Sequence, residues 1–139
     1  MSEKADLGQL LGVAATQWRR RLRDGVAARG FPFFAEARAE VITHVPPKGL
    51  PQAALGPLMG MSKQAVQQFL DQLVADGVVT REPDPEDKRL KTVRLTALGL
   101  RAREEAERTR RALDADIRLA VGDKGYKRLR KALRKLVEA

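Results

Sequence analysis

Apolar residues recur at three- and four-residue spacing from the start of the chain: Leu7, Leu11, Ala14, Trp18 and Leu22, with the basic run "RRRLR" wrapped around them. That period predicts an amphipathic helix from Leu7 to Arg29, which Gly30 and Pro32 end. A second helix is expected from Phe34 to His44, with Ala37, Val41 and Ile42 facing inward, before "VPPKG" breaks the chain. The middle of the chain reads as two helices. A short one runs from Leu50 to Leu58, "MGM" turns the chain, Ser62 is placed to cap, and a longer one runs from Lys63 to Asp76 up to Gly77. Val66, Phe69, Leu70, Leu73 and Val74 form its apolar stripe, and Lys63, Gln64, Gln67, Gln68 and Asp71 its opposite face. Two helices joined by a short glycine-containing turn make a helix-turn-helix.

Alternation then replaces the helical period. Strands are expected at Val78 to Glu82 and at Leu90 to Leu95, joined by a loop longer than an ordinary hairpin connection. Thr96 can cap a helix from Ala97 to about Ala120, "VGDKG" interrupts it, and a last helix spans Tyr126 to Val137. Leu129, Leu133, Leu136 and Val137 lie on one side of that last helix. Two helices followed at once by a hairpin is the winged-helix order. The predicted fold is mainly α (α+β): a winged helix-turn-helix at 46–96 with a two-stranded wing. Helical segments at 1–45 and 97–139 of the same compact subunit are expected either to form a dimerisation region or to pack on each other.

Charge narrows the partner. The 139 residues hold 27 Lys and Arg against 18 Asp and Glu, a net charge of +9, which points to a polyanion. Single-stranded nucleic acid is usually gripped by stacking aromatics, but Phe31, Phe33 and Phe34 are bunched and the basic segments carry none between them. Double-stranded DNA is therefore the expected partner. There is no cysteine, so disulfides, cysteine-bearing zinc sites and thiol sensing are excluded. With one histidine and no phosphate-cradling glycine loop, no enzyme, metal or cofactor is expected. No signal sequence or membrane-length apolar run is present, so the expected location is the cytoplasm, on the nucleoid when DNA is bound.

Two segments carry candidate chemistry. The glutamine face of the Lys63–Asp76 helix is either solvated surface or a base-reading face. Glutamine can bond an adenine edge at two points in the major groove, which nominates Ser62, Gln64, Ala65, Gln67 and Gln68. Lys63 suits phosphate. The stretch "REPDPEDKRLK", Arg81 to Lys91, holds two prolines, four acids and four bases. As a mere hairpin tip it needs no bases, and as a DNA contact it has no use for acids, unless an acid holds a base in place. Asp87 and Arg89 lie two residues apart on extended backbone, on one side. An Asp–Arg fork is rigid, and a guanidinium so held fits a narrow minor groove.

The forty residues "GMSKQAVQQFLDQLVADGVVTREPDPEDKRLKTVRLTALG" resemble the MarR family of bacterial winged-helix regulators, most specifically in "DPEDKR" and "VRLTALG". The resemblance implies a homodimer with interlocked terminal helices, a repressor whose subunits each place one recognition helix in a major groove and one wing in the adjacent minor groove. It implies DNA contacts at Ser62, Lys63, Gln64, Gln67 and Gln68, the wing-tip arginine at Arg89, its partner at Asp87, and Arg81 beside them. Lys88 stands where the family often has arginine and suits a phosphate instead. It also implies release by a small aromatic effector, for which Trp18, Phe31, Phe33, Phe34 and His44 are the candidate lining; these are equally ordinary core. The terminal apolar stripes serve a dimer or pack within one subunit. An architectural or sequence-nonspecific DNA-binding or protein-interaction module is the alternative function, for which the basic "DKGYKRLRKALRKL" is the motive.

Overall fold

A computed structural model describes residues 2–139. Five α-helices and a small antiparallel sheet follow in the order α1 (Leu7–Ala28), α2 (Glu40–His44), β1 (Leu50–Pro51), α3 (Leu55–Met59), α4 (Lys63–Ala75), β2 (Val79–Pro83), β3 (Lys91–Leu95) and α5 (Ala97–Glu138). The chain divides into two compact units, one formed by residues up to Leu22 with Glu107–Ala139, the other by Arg23–Ala106.

The Arg23–Ala106 unit has the denser core. Val26, Val41, Ile42, Val45, Leu55, Leu70, Leu73, Val78 and Val93 are fully buried. The sheet order is β1-β3-β2, with Val79 opposite Leu95 and Pro83 opposite Lys91. β1 pairs Leu50 with Val93 and Pro51 with Thr92. Both outer strands thus finish on a proline.

Local chemistry sets the position of α4. Ser62 is extended, and its hydroxyl oxygen accepts from the Ala65 N–H at 3.1 Å, satisfying one of the unpaired donors of the first turn. At the other end Gly77 is left-handed, with φ 79°. Its N–H donates to the Val74 carbonyl, and the Val78 N–H to the Leu73 carbonyl, each at 3.0 Å. That pair of bonds is a Schellman stop, with Val78 and Leu73 both buried behind it. Thr96 then stitches the wing exit to this stop. Its hydroxyl donates to the Gly77 carbonyl at 2.6 Å and accepts from the Gly99 N–H at 3.2 Å. Gly99 runs so close to β2 that an added Cβ would lie 2.3 Å from the Val78 carbonyl oxygen. Only glycine fits there without backbone movement.

Several expectations are corrected. No continuous helix covers Phe34 to His44. The chain makes 3₁₀ turns at Pro32–Ala35 and Ala37–Ala39, separated by an extended Glu36 (φ −94°, ψ 153°), before α2 begins. The break lets Phe33 and Phe34 enter the core together and buries Ala39, while Ala37 is exposed. The expected helix over Leu50–Leu58 is likewise divided into β1, a 3₁₀ turn at Gln52–Ala54, and α3. The wing therefore belongs to a three-stranded sheet. Val74 departs from the α4 stripe and is 40% exposed.

In the other unit, Leu113 and Tyr126 are the buried residues of α5, and Arg21 pairs with Asp116 at 2.6 Å. α5 is interrupted at Gly122, whose φ 77°, ψ 162° no helix contains. Twelve residues of straight helix span about 18 Å. Here the Tyr126 hydroxyl donates to the Asp114 carboxylate at 3.0 Å, and the Arg118 guanidinium lies 4.3 Å from the Tyr126 ring centre. The chain therefore doubles back at the predicted "VGDKG" interruption, and the final arm is helical from Asp123 rather than from Tyr126. Much apolar surface is left uncovered in this unit: Leu7, Leu10, Leu119, Val121, Leu129, Leu136 and Val137 are all exposed, Leu119 by 86% and Val137 by 84%.

Candidate nucleic-acid interface

The wing loop is built by its acids. Asp84 Oδ1 accepts from the N–H groups of Glu86 at 2.8 Å and Asp87 at 3.2 Å, curling the loop over its own start. The Asp84 N–H in turn donates to the Leu90 carbonyl at 2.9 Å, closing the loop base. Asp87 then holds Arg89 by three bonds, each 3.1 Å. Arg89 Nε and its backbone N–H donate to Oδ1, and Nη2 donates to Oδ2. The Arg89 side chain is 89% exposed while Asp87 is partly covered, so the fork presents a guanidinium outward on a fixed stem. The guanidinium bond, then the backbone N–H, lowers the Asp87 carboxyl below its ordinary pKa, and the same bond raises that of Arg89.

α4 supplies the second component. Lys63, Gln64, Gln67 and Gln68 line one open surface, as their i, i+1, i+4, i+5 spacing requires. A groove of about 440 Å³ runs from this helix to the wing, lined by Gln52, Lys63, Gln67, Arg89, Leu90 and Lys91 among others. Lys63 and Gln67 of α4 and the wing-tip arginine therefore flank one groove.

Other nominated residues are already engaged. The Ser62 oxygen serves the helix cap. The Arg81 side chain, 21% exposed, donates to Asp71 at 2.7 Å. Gln67 accepts from Gln52 Nε2 at 2.8 Å and donates to Asp71 Oδ1 at 3.2 Å. Lys88 is exposed at the loop. Gln52 was not nominated from the sequence. It lay within a segment expected to be helical, and its reach to Gln67 depends on the 3₁₀ turn that follows β1.

The aromatic candidates divide between the two units. Phe33 and Phe34 are core, at 8% and 3% exposure, and Phe31 meets Phe33 edge-to-face with ring centres 6.2 Å apart. Trp18 and His44 are each half-buried. Trp18 lies in the unit of the chain ends and the other four in Arg23–Ala106.

Residues 40–90 match the sequence model of the MarR family. No curated protein matches the chain. Among solved structures, the reduced form of MarR from E. coli is similar at 23% identity and TM-score 0.81, covering 97% of this chain and 98% of its own. A cysteine-to-serine variant of E. coli MarR complexed with operator DNA is similar at 22% identity and TM-score 0.76, covering 95% and 99%. A MarR-family transcriptional regulator from a Rhodococcus species follows at 20% identity and TM-score 0.73, covering 98% and 96%. At these identities the structural likeness establishes the fold. The sequence match to the MarR family spans residues 40–90, and the fold that contains that segment is the winged helix of these structures.

Proposed function

We propose that the chain is a DNA-binding transcriptional regulator, a repressor that acts as a homodimer on an inverted-repeat operator. The observation that carries this reading is the Asp87–Arg89 fork, which holds an exposed guanidinium across a groove from the polar face of α4. In a duplex complex α4 enters the major groove, with Gln64, Gln67 and Gln68 toward base edges and Lys63 toward phosphate. Arg89 enters the neighbouring minor groove, where negative potential is concentrated, and Lys88 meets the backbone. That the similar E. coli structure holds operator DNA supports duplex DNA as the partner.

Dimerisation is proposed for the chain-end helices of 1–45 and 97–139. The exposed leucines of α1 and of the final α5 arm form stripes that a second copy would cover. Two-fold symmetry then sets two half-sites about 34–36 Å apart. A small aromatic effector releases the operator in this reading. Phe31 is the phenylalanine of its group with surface to offer such a ligand.

The test is fluorescence anisotropy on the duplex upstream of the chain's own gene and on random duplex, across a salt series. Affinity for the upstream duplex is expected to exceed that for random duplex by at least about a thousandfold and to fall steeply with salt. Arg89→Ala is expected to weaken specific binding about tenfold with an unchanged melting temperature. Equal affinity for random duplex would overturn sequence-specific regulation, and unchanged affinity of the variant would overturn the wing's role.

A second reading, sequence-nonspecific binding, is favoured by one observation. Lys127, Arg128, Arg130, Lys131, Arg134 and Lys135 are all exposed along the final arm, a basic face suited to any polyanion.

A further inference from the structure

We infer that Gln52 is a positioning residue for base readout, fixing which way the Gln67 amide faces before DNA arrives. This rests on the proposal that α4 reads base edges. Four side chains form a line whose hydrogen bonds converge on Asp71 from both ends. Gln52 Nε2 donates to Gln67 Oε1 at 2.8 Å, and Gln67 Nε2 donates to Asp71 Oδ1 at 3.2 Å. Arg81 Nη2 donates to the same Asp71 oxygen at 2.7 Å.

The direction follows from chemistry. An ionised carboxylate only accepts and a guanidinium only donates. Asp71, pinned by Arg81, must therefore be met by N–H from Gln67, and the Gln67 carbonyl must turn to the other side. There it needs a donor, and Gln52 supplies one. The ends of the line are anchored in the sheet, Arg81 on β2 and Gln52 immediately after β1. Gln67 projects from α4 between them.

Each amide of this kind has two N–H groups and two lone pairs. With one of each engaged, Gln67 keeps one donor and one acceptor in a set orientation, the complement needed for the adenine edge. A free glutamine would rotate and present the pair in either sense. The bland alternative is a chance bond between surface amides. Against it stands Gln52 Oε1, which is buried and has no hydrogen-bond partner among the described residues. Stability alone disfavours an amide placed so, and orientation of Gln67 accounts for its position.

The test is selection of bound duplexes from a randomised pool, sequenced for the wild type, Gln52→Met and Gln67→Ala, with thermal melts of each. Methionine keeps the volume and removes both the donor and the orphan oxygen. Gln67→Ala identifies the base-pair column that this side chain reads. Gln52→Met is expected to lose about tenfold of the adenine preference in that same column. Its affinity for unselected duplex is expected to stay within about twofold, because phosphate contacts are untouched. Its melting temperature is expected not to fall, and the double variant to lose no more in that column than Gln67→Ala alone. A wild type that selects no sequence overturns the base-reading proposal and this inference with it. A wild type with a motif, and a Gln52→Met motif identical to it, overturns this inference alone.

Discussion

The Arg23–Ala106 unit and the unit of the two chain ends solve the burial problem differently. In the first, α4 turns Val66, Leu70 and Leu73 inward to 2%, 0% and 0% exposure. Its polar groups are largely paired: Arg38 with Asp76 at 2.7 Å, Arg81 with Asp71, Arg94 with Glu82 at 3.2 Å, and Arg103 with the Val45 carbonyl. In the second, Leu119, Leu129, Leu136 and Val137 face outward on α5, and Leu7 and Leu10 on α1. Apolar residues of helices thus end in opposite environments in the two units. The lesson is that an amphipathic period marks an apolar face without specifying what, in the subunit, will cover it.

Substitutions can break this comparison. The largest effect is expected at Leu70 and Gly99. Leu70→Ala empties a filled core and is expected to cost about 2–5 kcal/mol in chemical denaturation. Gly99→Ala forces α5 away from the Val78 carbonyl and belongs in the same range of about 2–5 kcal/mol, the class of strained or overpacked sites. Both losses should be independent of protein concentration. A Leu70→Ala variant as stable as the parent would contradict the packing of α4.

Next in size is Leu133→Asp on the final arm. It buries no charge within the unit and is expected to leave secondary structure intact while shifting light-scattering mass toward the monomer. The concentration dependence of melting temperature that a dimer carries should weaken with it. A variant that keeps the parent's mass would move the dimer contact elsewhere.

The smallest expected effect is in pH. Arg89 depresses the Asp87 carboxyl, so the fork is fully formed above the ordinary aspartate range and opens only as pH falls through the lowered value. Duplex affinity lost with Arg89→Ala should therefore be constant from about pH 5 to about pH 8 and shrink only below an aspartate's usual value of about 3.9. A step in that difference near neutrality would contradict the fork as the wing's anchor.

The legible parts of the sequence were those set by neighbours a few residues apart. Ser62 and Gly77 bound α4 because caps are local hydrogen-bond problems. Asp87 and Arg89 meet as their two-residue spacing suggested, but through a turn rather than extended backbone: the Leu90 N–H donates to the Asp87 carbonyl, and the Arg89 N–H to the Asp87 carboxylate. Gly122 breaks α5 where glycine-flanked polar residues interrupt the apolar stripe. The illegible parts depend on distant partners. β1 is a strand of two residues only because β3 offers it an edge, and Ala39 replaces Ala37 in the core because an extended Glu36 resets the phase of the turns. The Gln52–Gln67 bond joins residues fifteen apart through a turn that the helical reading of Leu50–Leu58 had erased.

One consequence follows from the rims of the small sheet. A proline lacks the N–H through which an incoming strand would pair, and here the outer strands end on Pro51 and Pro83. Edge-on recruitment of a peptide, or of another molecule's hairpin, is disfavoured at both sides. Any growth from monomer to assembly is steered to helical surfaces, leaving the wing's margin unencumbered.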